Sequence, residues 1–110
     1  MNNELIQLIT VKGYEKDESG FKEKELTDSL EIFASVKSVG RTEYYEALRS
    51  GMNVNIIFSV NPDDFDLATK EVDGKKIKAS KVIHDGATYI IRRTYKKDLH
   101  VLELSCEEVE

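Results

Sequence analysis

The sequence has no tryptophan and only a single cysteine and a single proline among its 110 residues. The lone cysteine, Cys106, excludes an intramolecular disulfide, and the chain has no histidine and cysteine cluster with zinc-ligand spacing. The near absence of proline excludes a proline-rich linker. No apolar run approaches the length of a membrane span, and the first residues lack the pattern of a signal peptide. We therefore expect one soluble domain over residues 1–110, in a reducing compartment.

The chain also lacks an excess of basic residues, because its formal net charge is −5. Tight binding to nucleic acid requires clustered lysine and arginine that displace counterions, so the charge argues against that class of protein. Basic residues gather only locally, in Lys75-Lys76-Ile77-Lys78 and in Arg92-Arg93 with Lys96-Lys97. We interpret these clusters as solvated strand edges and turns, where lysine discourages edge-to-edge pairing.

Residues 30–60 are typical of a strand, a short helix and a second strand. The alternating apolar positions of the two strands are Leu30, Ile32, Ala34 and Val36, then Val54, Ile56, Phe58 and Val60. This two-residue period is that of a half-buried strand. Between the strands, Thr42 is the expected N-cap and Gly51 the expected left-handed C-cap. Tyr44, Ala47 and Leu48 share one helix face, and so short a helix must pack on the sheet or on a neighbouring subunit.

The remaining segments predict further strands joined by turns. Residues 4–12 form a strand with apolar residues on both faces, which we expect to be covered on both sides. We expect an exposed loop over residues 12–19, an extended segment over 21–27 and a turn over 61–64; residues 65–72 fit a weak strand or a single helical turn. Asp85-Gly86 between two apolar runs predicts a hairpin turn, and residues 99–107 a closing strand. About six strands and one helix predict a mainly β fold, a small antiparallel barrel or sandwich.

Catalytic chemistry finds no support in the sequence. His84 and His100 have no partners at ligand spacing, and Cys106 fits a small buried hydrophobe better than a nucleophile. The acidic pairs Asp63-Asp64 and Glu107-Glu108 lack the spacing of a calcium loop, so we interpret them as a turn cap and a solubilising tail. Phosphate loops and nucleophile elbows are also missing. We expect no catalytic, cofactor or metal site.

Four stretches, in order along the chain, resemble the head-closure, or head–tail joining, proteins of long-tailed bacteriophages and prophages. They are the strand ELIQLITVKG with its polar loop and Gly20, the strand and helix FASVKSVGRTEYYEALRSG, the hairpin DGATYII that begins at Asp85-Gly86, and the ending LELSCEEVE. The resemblance spans nearly the whole chain. It implies a small β-barrel with a helix inserted between strands.

The resemblance also implies a structural protein of the virion, made in the host cytoplasm, and not an enzyme. Such a protein forms a ring on the portal and adaptor connector, closes the DNA exit channel without sequence-specific DNA binding, and presents a docking surface to a tail-completion protein; no membrane is involved. Ring closure follows from heterologous contacts repeated around an axis. The expected assembly residues are Tyr45, Glu46 and Arg49 on the helix, Lys16 and Asp17 in the loop, and Glu107 and Glu108 in the tail.

Two other classes stay open. A tail-completion or tail-terminator protein shares the compact β-plus-helix composition and the ring habit. A small β-barrel that binds a small ligand or a metal ion is the second, and the missing catalytic constellation argues against it.

Overall fold

The computed structural model describes residues 3–20 and 23–109, and most of these residues lie in β-strands. In chain order, the elements are β1 (Asn3–Lys16), β2 (Glu23–Ser38), α1 (Arg41–Arg49), β3 (Ile56–Val60), α2 (Pro62–Leu67), β4 (Lys70–Val72), β5 (Lys75–Ile77), β6 (Lys81–His84), β7 (Ala87–Lys96) and β8 (Leu102–Val109). The prediction of a mainly β fold with a short helix inserted between strands is confirmed. In the described part of the chain, neither helix has the length and hydrophobicity needed to cross a membrane.

Six of the strands form one antiparallel sheet, as the sequence predicts. Their order is β1-β2-β3-β8-β7-β6, and β6 pairs in turn with β1 through three residue pairs centred on Leu8 and Val82. The run of pairings therefore returns to its first strand. The strands β4 and β5 form a separate two-stranded sheet.

Apolar side chains on the inner face of the six-stranded sheet make the core. The alternation predicted for β2 and β3 is confirmed, because Ile32, Ala34, Phe58 and Val60 are buried. The complete cluster of buried residues is Ile6, Leu8, Ile32, Ala34, Phe58, Val60, Phe65, Ala68, Ala79, Val82, Leu104 and Cys106. The sheet residues of this cluster follow the two-residue period, which explains why sequence pattern locates them well.

Strand β1 differs from its prediction in two ways. One face is fully buried at Ile6, Leu8 and Thr10, whereas the other is only partly covered, because Ile9 and Val11 are half-buried and Leu5 is 51% exposed. The strand also continues to Lys16 through the segment expected to be a loop, because residues 13–16 pair with residues 23–26 of β2. The expected extended segment over residues 21–27 lies partly outside the described residues, and its described part belongs to β2.

Helix α1 begins earlier than expected and ends where expected. Gly40 occupies the N-cap position without a side-chain hydrogen bond, so the prediction that Thr42 caps the helix is wrong. At the other end Gly51 has φ +79°, its N–H donates to the Leu48 carbonyl at 2.9 Å, and the Met52 N–H donates to the Ala47 carbonyl at 2.9 Å. These two bonds form a Schellman motif, which stops the helix at a left-handed glycine.

Residues 61–72 form a short helix and a strand instead of the predicted turn and single uncertain segment. The Asn61 side chain caps α2 by accepting a hydrogen bond of 2.8 Å from the Asp63 N–H. Phe65 and Ala68 enter the core, and the Thr10 hydroxyl donates to the Ala68 carbonyl at 2.6 Å. Because Thr10 is buried, this bond satisfies its hydroxyl and fixes α2 against β1.

Two hairpin turns have the same dipeptide sequence, Asp-Gly, at their centres. Asp85 and Gly86 both have positive φ, at 51° and 79°, between β6 and β7, where the sequence predicts a turn. Asp73 and Gly74 repeat these angles, at 51° and 78°, between β4 and β5. Positive φ at both central residues defines the type I′ turn, whose twist suits a two-residue hairpin.

Candidate assembly interface

The first group of predicted assembly residues lies on the outward side of α1. Tyr45 is 54% exposed, and Glu46 and Arg49 are also exposed. The ring of Tyr45 contacts that of Tyr44 edge to face, with centroids 5.9 Å apart. Leu48, which the sequence pattern places on the same helix face as Ala47, is 42% exposed. The helix therefore offers a larger apolar surface than its sequence pattern indicates.

The opposite side of α1 covers the outer face of the sheet. Ala47, Ile57 and Ser105 are all buried, and they line one groove of about 500 Å³ between α1 and the outer face of the sheet. Ile57 and Ser105 are paired residues of β3 and β8 that point away from the core. The helix thus packs on the sheet, which was one of the two alternatives that the sequence left open.

The rim of this groove carries charges of both signs. Lys37 forms an ion pair of 3.4 Å with Glu103, and Glu46 lines the same groove. Ion pairs at such exposed positions contribute about 0–1 kcal/mol to stability.

The second group, Lys16 and Asp17, lies far from α1. Both residues are exposed at the turn between β1 and β2. The Asp17 carboxylate accepts a hydrogen bond of 2.7 Å from the Ser19 hydroxyl, and its carbonyl accepts one of 3.0 Å from the Gly20 N–H. Because α1 follows the other end of the 16-residue β2, the two groups lie at opposite ends of that strand. They do not form one site.

The third group, Glu107 and Glu108, belongs to β8, which agrees with the closing strand predicted as far as residue 107 and continues to Val109, so the prediction of a solubilising tail is wrong for Glu108. Glu107 accepts hydrogen bonds from the Arg92 guanidinium at 2.7 and 2.8 Å. The Glu108 N–H donates to the Asn55 side chain at 3.0 Å. Pairing with β7 holds both residues, and Glu110 lies outside the described residues.

An exposed apolar pair on β1 and β2 was missing from the predicted interface. Leu5 and Phe33 lie directly opposite each other on these strands and are 51% and 60% exposed. The sequence held a signal, since Phe33 interrupts the otherwise polar outer face of β2. Leu99, in the turn before β8, is 79% exposed and is the most exposed large apolar residue among those described.

His84 and Cys106, which were considered for reactivity, have ordinary structural surroundings. The His84 Nε2 lies 3.0 Å from a Glu4 carboxylate oxygen, and the imidazole contacts the edge of Phe58 at a centroid distance of 5.5 Å. Burial raises the pKa of the Cys106 thiol to about 12, and the thiol donates a weak hydrogen bond of 3.5 Å to the Leu104 carbonyl. A thiol with so high a pKa is almost entirely protonated at neutral pH and is a poor nucleophile.

Acidic residues on the surface serve the fold. Asp63 and Asp64 lie in the first turn of α2, where the helix dipole favours negative charge. Within residues 3–20 and 23–109, no group of three or more histidine, cysteine or acidic side chains is arranged to hold a metal ion.

Comparisons of the chain with models of known protein families and with curated proteins find no match. The described surface offers exposed aromatic, aliphatic and charged side chains, which suit contact with another macromolecule.

Proposed function

We propose that this chain is a head-completion protein of a phage or prophage, a stopper that binds the portal and adaptor connector as a ring. In this function it closes the DNA exit channel and gives the tail its docking surface. It acts in the virion after assembly in the bacterial cytoplasm, and it is not an enzyme. We further infer that the closed run of strand pairings is a small β-barrel, which is the fold that the resemblance implies.

One observation carries the proposal: large apolar side chains stand on the outer surface in several places. Tyr45 and Leu48 on α1 and the pair Leu5 and Phe33 on the sheet are all more than 40% exposed. The two members of each pair are neighbours, and adjacent exposed apolar side chains suit a surface that partners cover on assembly.

The shape and charge of the molecule support the same function. Its extents of 46 × 29 × 26 Å reflect the long β1–β2 hairpin, which reaches beyond the other strands. A projecting hairpin suits a subunit that must contact neighbours in a ring. The net charge of −5 suits a channel component, because a bore lined with basic residues would hold the DNA that must leave.

The experiment removes the exposed helix residues and measures attachment. The double variant Tyr45→Ala with Arg49→Ala keeps the free energy of unfolding within about 1 kcal/mol of the wild type, because exposed side chains contribute little to folding. Mixed with DNA-filled heads purified from the phage or prophage that encodes the chain, it fails to attach, and the heads lose DNA. Binding is measured by co-sedimentation, and DNA retention by nuclease protection.

A matched control removes an apolar and a basic side chain elsewhere. Leu99→Ala with Lys97→Ala changes the exposed turn before β8, and it keeps attachment if α1 carries the contact. Normal attachment and DNA retention of the Tyr45 and Arg49 variant would exclude α1 from the interface. Attachment of the wild-type chain to purified tails, and not to heads, would instead identify a tail-completion protein.

A further inference from the structure

One edge of β2 has no partner strand over most of its length. Residues 23–34 pair only with β1 among the described strands, and pairing with β3 begins at Ser35 and ends at Ser38. An unpaired edge presents a row of backbone N–H and C=O groups that another strand can bind. We refer to residues 23–34 as the free stretch of β2.

The free stretch carries an exposed carboxylate near each end, and one exposed ammonium group, that of Lys24, lies beside the first of them. Glu23 and Glu31 are exposed, and neither forms an ion pair with another described residue. Between them, Asp28 and Glu25 are already paired within the chain, to Lys12 at 3.1 Å and to Lys81 at 2.9 Å. The carboxylates left over for a partner are therefore those of Glu23 and Glu31.

Strand β5 has the opposite character. It pairs only with β4 among the described strands, so its second edge is also without a partner. Lys75, Lys76 and Lys78 are exposed, and none of them forms an ion pair with another described residue. Three adjacent ammonium groups repel an edge of the same charge and attract an acidic one.

These charges favour one of the possible pairings of the two edges between copies of the chain. Two copies of β2, or two copies of β5, bring like charges together, whereas β5 against β2 brings opposite charges together. We propose that the lysine edge of β5 in one copy docks on the free stretch of β2 in the next. The contact is heterologous, so it can repeat around an axis. It rests on the proposed function, for which it supplies the contact between neighbours in the ring.

The test reverses each charge set and then combines the two. One variant carries Lys75→Glu and Lys76→Glu, and the other carries Glu23→Lys and Glu31→Lys. The second pair of substitutions brackets the free stretch, so that one of them lies within about 13 Å of any register of pairing. The control, Lys96→Glu with Lys97→Glu, makes the same charge change as the first variant at the end of β7 and the start of the turn that follows it.

Sedimentation velocity of each full-length chain, up to about 1 mM protein, measures association in two salt concentrations. Wild type and control associate in about 0.01 M salt and dissociate in about 1 M, as the Debye length falls from about 30 to about 3 Å. Each reversed variant alone associates at least about tenfold more weakly. An equimolar mixture of the two reversed variants associates again, because each β5 then meets a β2 of opposite charge.

The outcomes separate this contact from the proposed function. Absence of association in the wild type up to about 1 mM, or failure of the mixture to associate, overturns the contact between β5 and β2. If both reversed variants still attach to DNA-filled heads as the wild type does, the contact is wrong and the head-completion function stands. If the mixture associates but no chain attaches to heads, the contact stands and the function is wrong.

Discussion

The two halves of the β1–β2 hairpin obey the same pairing rules but have very different surroundings. In the first half, which we call the root, Leu8 of β1 is opposite Leu30 of β2 and is fully buried. In the second half, the arm of residues 13–20 and 23–26, Tyr14 is opposite Glu25 and is 65% exposed. The register shifts between Val11 and Gly13, where root and arm meet. Backbone pairing is common to both halves, so burial decides which half stabilises the protein.

Truncating the root should have the largest effect on stability. Leu8→Ala lowers the free energy of unfolding by about 2–5 kcal/mol, because it removes buried methyl groups and leaves a cavity in the core. Urea denaturation followed by circular dichroism measures this loss. The control Leu8→Ile keeps the side-chain volume and costs less than about 1.5 kcal/mol. Equal loss in both variants would show that volume at this position is not what matters.

Backbone strain should distinguish a turn of the closed sheet from the turn of the arm. Gly86 has φ +79° and Gly20 has φ +74°, and a Cβ at either position meets no atom within 4 Å. Gly86→Val should therefore lower stability through strain alone, by roughly 1–3 kcal/mol. Gly20→Val costs less, because the arm can open locally without disrupting the core. Thermal melts measure the loss of stability in both variants. A larger loss for Gly20→Val than for Gly86→Val would show that the arm unfolds together with the core.

The rate at which a thiol reagent labels a cysteine also distinguishes the buried sheet from the exposed arm, and it does not require a measurement of stability. Cys106 is fully buried, so in the native protein it reacts with a thiol reagent only as fast as the molecule unfolds. In the variant Tyr14→Cys, the thiol on the arm reacts at once. Labelling followed by mass spectrometry separates the two sites, and fast labelling of Cys106 would mean that β8 opens on its own.

The Cys106 thiol also makes stability depend on pH in the alkaline range. Burial raises its pKa from 9.0 to about 12, so the folded state holds its proton more tightly than the unfolded state does. This contribution is complete below pH 9.0 and is lost as pH rises from 9.0 to about 12. Cys106→Ala should remove that part of the decline in urea-denaturation curves. An unchanged pH profile would assign the decline to other groups.

The smallest effect should come from the arm itself. Tyr14→Ala changes the free energy of unfolding by no more than about 0.5 kcal/mol, since an exposed side chain away from the core contributes little. The measurement is the same urea denaturation that is used for Leu8→Ala. A loss as large as that in the root would end the distinction between the two halves and make the arm part of the core.

Local chemistry made the core positions and the turns of the six-stranded sheet readable from the sequence. Alternation located Ile32, Ala34 and Phe58 in the core, because successive side chains of a strand point to opposite faces and every second residue therefore shares a face. The Asp85-Gly86 turn and the Gly51 cap were located because few residues other than glycine, asparagine and aspartate tolerate positive φ. The assembly roles assigned to Tyr45, Glu46 and Arg49 stay predictions.

Of the arm, residues 23–26 lie in the segment that was predicted as extended, whereas residues 13–16 were not readable as a strand, because nothing in them alternates between apolar and polar. Those residues are strand only because residues 23–26 supply their hydrogen-bond partners. Strand β4 and helix α2 were uncertain for a similar reason, since a short segment has too few residues to establish a period. The acidic ending was misjudged because its polarity concealed its pairing with β7.

The sequence by itself therefore determined the mainly β composition, the parity of the core strands and the places where the backbone must turn. The tertiary structure alone decided that β6 pairs with β1, that Thr10 meets Ala68, and that Leu5 stays in solvent. The physical reason is the range of the interactions. Turn angles and strand parity depend on neighbours in the chain, whereas burial and strand partners depend on residues distant in sequence, which only the folded chain brings together.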